Sequence, residues 1–169
     1  MITSKSKKEI AIMRRAGQLV AAVHAAMKEM VRPGITTQEL DAWAENHIRS
    51  SDAIPTFKGY NGFPATLCIS VNEEVIHGFP SKYRLKEGDI VSIDCGATFQ
   101  NYVGDSAWTY AVGEISAEKA ALLKATEEAL WRGNDQARDG KRLYDIGAAV
   151  QSNAEGQGYS VVQDYCGHG

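Results

Sequence analysis

Residues 89–112 read DIVSIDCGATFQNYVGDSAWTYAV, from Asp89 to Val112. Asp89 to Thr98 and Tyr102 to Val112 both alternate and are rich in β-branched or aromatic side chains, which predicts two strands joined by a tight turn. A reversal across Phe99-Gln100 sets Asp94 directly opposite Asp105. Directly opposed residues have Cβ atoms roughly 4.5–5.5 Å apart. Two like charges at that distance destabilise a sheet unless something positive lies between them, and a divalent cation, or a pair of them, is the natural candidate. By alternation Asp94 shares its face with Ile90, Ser92 and Gly96, while Val91, Ile93 and Cys95 point the other way. Asp105 lies with Val103, Ala107, Thr109 and Ala111, and bulky Trp108 and Tyr110 take the opposite side. The face carrying the acids is built mostly of small residues, which leaves room for a ligand. A water-exposed strand face that happens to carry two acids satisfies the same pattern.

With 169 residues the chain is long enough for one domain with a sizeable core. A hydrophobic content of 44% and a charged content of 23% are those of an ordinary globular protein. The net charge of −3 gives no electrostatic reason to expect nucleic acid or an anionic membrane surface as partner. No apolar run is long enough to span a bilayer and the N-terminus lacks a signal-peptide core, so the expected location is cytoplasmic. Cys68, Cys95 and Cys166 are far apart and without C-x-x-C spacing, and they read as reduced thiols.

Ser6-Lys-Lys-Glu9 is a capping box that opens a helix with Ile10, Met13, Gly17, Val20, His24, Met27 and Val31 along one stripe; Arg32-Pro33-Gly34 ends it. Thr36-Thr-Gln-Glu39 starts a second helix through Leu40, Trp43, Ala44 and His47 to about Ser51. A turn-rich stretch runs from Thr56 to Pro64, Thr66 to Val71 is a strand, and Val75 to Pro80 reads as a short returning strand. After the hairpin come a third helix, from about Ser116 to Arg138, and a fourth, from about Arg142 to Glu155. The helix pairs look alike: Gly34, Leu40 and Ala44 match Gly140, Ile146 and Val150 at an offset of 140 − 34 = 106 residues. That spacing suggests a duplicated unit of two helices followed by strands.

The chain closes on Asp164-Tyr-Cys-Gly-His168-Gly169, a histidine between glycines preceded by Val161-Val162, which leads like a strand. With these residues in hand the chain resembles a bacterial type I methionine aminopeptidase. The resemblance runs through Lys8-Glu-Ile, Met13-Arg, Ala16-Gly17, Val31-Arg-Pro-Gly34 and Glu39-Leu-Asp41. It continues through Cys68-Ile-Ser-Val-Asn72-Glu, His77-Gly-x-Pro80, Gly88 to Asp94, Gly104-Asp105 and Tyr165-Cys-Gly-His168-Gly169. It implies the pita-bread fold, an α/β (α+β) architecture of two pseudo-related halves around a dinuclear metal site. On that reading residues 1–169 form a single, incomplete domain: the first half and the start of the second. The implied activity is removal of the initiator methionine from nascent polypeptides by metal-activated water. Two divalent ions (Co, Mn, Fe or Zn) are the implied cofactors. Carried over by position, Asp94, Asp105 and His168 are metal ligands, and His77 contacts the substrate near the scissile amide. Tyr60, Phe63 and Cys68 fall where the family lines its methionine pocket. Peptides with N-terminal methionine are the implied partners, with the ribosome as a further one.

The resemblance has gaps. The family site adds two glutamate ligands and a second substrate-contacting histidine downstream of Gly-His-Gly, and no other acids here match those motifs. The chain is therefore expected to be a fragment of weak or no activity, with an open sheet edge that invites self-association. Ser106 stands where the family usually carries Thr. Two alternatives remain: a non-catalytic pita-bread module that binds peptides, and a proline-specific aminopeptidase relative.

Overall fold

A computed structural model describes residues 4–165 together with Gly167 and His168. The chain divides into two compact units, Met1–Ile115 and Ser116–Gly169. The first unit contains α1 (Lys7–Met30), α2 (Thr37–Ser50), β1 (Ile54–Pro55), β2 (Leu67–Val71), β3 (Ile90–Phe99) and β4 (Tyr102–Ala111). Both helices start where their sequence says. Ser6 Oγ accepts the Glu9 N–H at 3.3 Å while the Glu9 carboxylate accepts the Ser6 N–H at 2.6 Å. The Thr36/Glu39 box repeats this at 3.1 and 2.8 Å, satisfying N–H groups that would otherwise lack partners.

Strand β3 is the spine of the sheet. It pairs antiparallel with β4 along its whole length, from Ile90↔Ala111 to Phe99↔Tyr102. Its other edge takes β2, from Leu67↔Cys95 to Val71↔Val91, and then β1 at Ile54↔Thr98 and Pro55↔Ala97. One face is apolar: Val91, Ile93, Cys95, Leu67, Ile69 and Tyr110 are buried together with Leu19, Val20, Val23 and Met27 of α1 and Leu40, Ala44 and Ile48 of α2. Each such side chain stabilises the fold by roughly 1.5–3 kcal/mol.

Three expectations need correction. The buried face of α1 is Ala16, Leu19, Val20, Val23 and Met27, whereas Ile10 and Met13 are 46% and 37% exposed. The helix turns this face inward because its backbone meets β4 at Gly104, where a Cβ would lie 2.5 Å from the carbonyl carbon of Ala16. Residues 75–80 are not a strand. Gly78 meets β2: its carbonyl accepts the Ile69 N–H at 2.9 Å, and a Cβ there would collide with the Ile69 carbonyl oxygen. Neither His77, at φ 60°, nor Pro80 can continue a ladder. Residues 159–165 are irregular too, so Val161-Val162 forms no strand.

The second unit holds α3 (Ala117–Asn134), capped by Ser116, and α4 (Leu143–Gly156). Asn153 Nδ2 donates to the Ala125 carbonyl at 3.0 Å, and Gly133 leaves the space that Val150 occupies. The duplication is visible here. Helices α2 and α4 are each 14 residues long and start 143 − 37 = 106 positions apart. Gly34 and Gly140 are both left-handed, and the Thr36 and Arg142 N–H groups each donate to the acid three residues on, at 2.8 Å.

Gly104→Ala is expected to cost about 1–3 kcal/mol, since backbone would have to give way to the new methyl group. Gly17→Ala, in the exposed interior of α1 with nothing within 4 Å, should instead stabilise by about 0.5–1 kcal/mol. Urea unfolding of the two variants checks this, and effects of the same sign would contradict the packing.

Candidate functional site

The hairpin reverses over Gln100-Asn101, both left-handed at φ 48° and 68°, as a two-residue turn between twisted strands requires. The register is therefore two residues away from the one the sequence suggested. Asp94 stands opposite Ala107, and Asp105 opposite Gly96. Because strand side chains alternate with a period of two, a slip of two keeps both acids on the same face. They become diagonal neighbours, with Cβ atoms roughly 7–8 Å apart or somewhat closer. The other diagonal, Gly96 and Ala107, carries only small residues.

Asp94 is half-buried, and its Oδ1 is enclosed with no hydrogen-bond partner. Burial, then the charge of Asp105 and a hydrogen bond with it, raise the Asp94 carboxyl well above the usual carboxylate range, against a smaller lowering by the Cys95 backbone. An orphaned carboxylate oxygen beside a second carboxylate is a site that a cation relieves, and hard oxygen donors suit divalent ions. Among the described residues no group of three or more His, Cys, Asp or Glu gathers as a metal cluster. The first unit thus supplies its acids as a pair.

Two neighbours of the pair, Cys68 and Phe57, are soft and uncharged. Cys68 on β2 pairs directly with Asp94 and is buried; burial, then the charges of Asp94, Asp105 and Asp41, push its thiol to about 12, so it stays neutral. Gly96 leaves a space filled by the Phe57 ring, 2.6 Å from where a Cβ would sit. Phe57 lies in the same turn-rich stretch as Tyr60 and Phe63, and nothing local distinguishes it, because only the fold brings it onto Gly96. Phe63 packs against Phe79 at 5.3 Å between ring centres, and Tyr60 is 71% exposed on a short 3-10 turn. Two rows along the sheet from the Asp105 row, the Ser92 and Thr109 hydroxyls bond at 2.8 Å.

His77 is an exposed residue of the loop pinned by Gly78, whose N–H also donates to Ser70 Oγ at 3.1 Å. His168 belongs to the second unit and is exposed, while Cys166 and Gly169 of the same motif lie outside the described residues. Two further polar groups border the site. Asp41 accepts the Thr66 and Leu67 N–H groups at 2.9 and 2.8 Å and so sets the start of β2. Thr66 is fully buried with an unpartnered Oγ1. The acid was visible in the sequence as part of Glu39-Leu-Asp41, but nothing local assigns it to the β2 backbone. A separate groove of about 270 Å³ lies by the same loop, lined by residues that include Glu73, Glu74, Phe79 and Tyr83.

The profile of metallopeptidase family M24 matches residues 11–169. The chain belongs to metallopeptidase family M24. It is 51% identical over its full length to methionine aminopeptidase 1 of Bacillus subtilis, of which it covers 68%. Identity and coverage are the same, 51% and 68%, with the methionine aminopeptidase of Clostridium acetobutylicum. Among solved structures, the methionine aminopeptidase of Thermotoga maritima superposes with a TM-score of 0.97 at 39% identity, covering 100% of this chain and 68% of that one. The Xaa-Pro dipeptidase of Bacillus anthracis superposes at 0.79 with 24% identity, covering 92% of this chain and 42% of the other; that likeness is one of fold. The pita-bread architecture expected from the sequence is thus shared with both, and a metallopeptidase chemistry fits the paired carboxylates.

The raised Asp94 carboxyl makes stability depend on pH. Above the ordinary aspartate value of 3.8 the native M24 chain binds more protons than the unfolded one, so in metal-free buffer its stability falls as pH rises, down to a plateau above the raised value. Urea unfolding at about pH 5 and about pH 8 should show this loss, and Asp94→Asn should shrink it. An equal loss in the variant would place the titration elsewhere.

Proposed function

We propose that this chain carries the metal-binding and substrate-binding half of a methionine aminopeptidase, which removes the N-terminal methionine of newly made polypeptides in the cytoplasm. The observation that carries the reading is the orphaned Oδ1 of Asp94 beside Asp105, in a chain 51% identical to named methionine aminopeptidases. Asp94, Asp105 and His168 would hold the divalent ions: carboxylates and an imidazole accept Mn, Fe, Co or Zn. When bound, such a pair of ions lowers the pKa of a water and polarises the scissile carbonyl.

The remaining roles fall to groups around the acids. His77, on the loop fixed by Gly78 to β2, would contact the peptide near the scissile amide. Cys68 and the rings of Phe57, Phe63 and Tyr60 would surround the methionine side chain, since sulfur and ring edges attract modestly. A neutral Cys68 thiol suits that task, because a thiolate would repel the apolar thioether and compete for the cation. The Asp94–Asp105 pair and His168 are the candidate ligands within these 169 residues, so this chain alone should bind metal weakly and turn over slowly.

Calorimetric titration with Mn(II) or Co(II) is expected to show a site that Asp94→Asn and Asp105→Asn each abolish. Any turnover should favour Met-Ala over Xaa-Pro peptides. No binding, or binding indifferent to both variants, would overturn the metal reading; preference for Xaa-Pro would move the chain to the proline-specific branch.

A further inference from the structure

Strand β4 carries Asp105 on one face, and α1 grips it from the other. The grip has three points along one side of the helix. Near its start Glu9 accepts the Tyr102 hydroxyl at 2.6 Å. Two turns on, the backbone of Ala16 and Gly17 meets Gly104 so closely that a Cβ would lie 2.5–2.6 Å from it. Two further turns on, the His24 ring reaches the strand twice: Nε2 is 2.9 Å from the Ser106 carbonyl and Nδ1 is 2.8 Å from the Tyr110 hydroxyl. A carbonyl only accepts, so Nε2 carries the proton that goes to Ser106. The same hydroxyl lies 3.0 Å from His24's own carbonyl, tying the side chain to its helix.

The residues before and after Asp105 are therefore both anchored to α1, Gly104 by close packing and Ser106 through its carbonyl. Asp105 itself is exposed and, by strand alternation, lies on the face opposite to Gly104 and Ser106. We infer that His24 is a positioning residue for Asp105: by holding the Ser106 carbonyl it completes a clamp on the β4 backbone that sets the spacing of the two carboxylates. As a matter of cation binding the inference rests on the metal reading above; as a matter of backbone order it does not.

The two hydrogen bonds can be separated. A glutamine amide nitrogen reaches the position of Nε2 and can donate to the Ser106 carbonyl, whereas asparagine reaches only the position of Nδ1. The test compares His24→Gln, His24→Asn and His24→Leu in the 169-residue chain, with amide hydrogen exchange of residues 104–107 and calorimetric Mn(II) affinity as readouts. The expected result is faster exchange at these amides and a roughly tenfold loss of Mn(II) affinity in the Leu and Asn variants, with the Gln variant close to the parent. Should His24→Leu fail to fold, the Gln–Asn pair decides. Gln behaving like Asn, or exchange at 104–107 unchanged in both, would overturn the inference. If the parent binds no Mn(II), the metal reading falls and exchange alone decides between the clamp and its absence.

Discussion

Two carboxylates that repel one another stay side by side in this fold because β3 is paired along both edges and β4 is held between β3 and α1. At the separations of diagonal neighbours near a protein surface their repulsion is on the order of a few kcal/mol. A hairpin by itself, marginally stable in water, could not bear that load. Here β3 is paired along both edges, and its opposite face buries Val91, Ile93 and Cys95 completely. The stress therefore appears as a raised Asp94 carboxyl and an unpartnered Oδ1 instead of a parted sheet. A site that must receive a cation is built in this way: the scaffold supplies the stability and the acids supply the unmet demand.

What could be read from the residues alone was whatever is decided locally. The capping boxes at Ser6 and Thr36, the two hairpin strands and their inner and outer faces all depend on neighbours within a few positions. The face assignment survived an error in register because a slip of two does not exchange faces. Alternation alone fits a reversal at Phe99-Gln100 equally well; Asn101, a residue that tolerates φ > 0, is the signal that the turn lies one residue later. Phe57 over Gly96 and the clamp of His24 on Ser106 were not legible, since each joins residues far apart in sequence through tertiary packing. His24 did appear on the predicted helix stripe, but as a core position, not as a hydrogen-bonding one.

The duplication gives a second view of the same economy. The instructions that start α2 and α4 are a left-handed glycine, a two-residue gap, and a backbone N–H donated to an acid three residues ahead. Thr36 completes its box with a side-chain oxygen, whereas Arg142 has no acceptor to offer and keeps only half of the arrangement. Equal helix lengths despite that loss show that the shared half suffices to set the start.

Hydrophobic burial cannot by itself choose the register on which the acids depend. Sliding β4 by two residues along β3 would keep Trp108 and Tyr110 on the apolar side and Asp105 on the other, at little change in buried area. What differs is which residue meets α1. Only Gly104 among the residues of β4 lacks a Cβ, and it sits where the Ala16–Gly17 backbone leaves no room for one. Val103 or Asp105 would point the wrong way, and Tyr102 or Ser106 would bring a side chain into that backbone. The Gln100-Asn101 turn and the Tyr102–Glu9 bond agree with the same alignment. The apolar core decides that there is a sheet and which face is buried. One glycine contact, one turn and a few polar anchors on α1 decide where on that sheet Asp105 stands relative to Asp94.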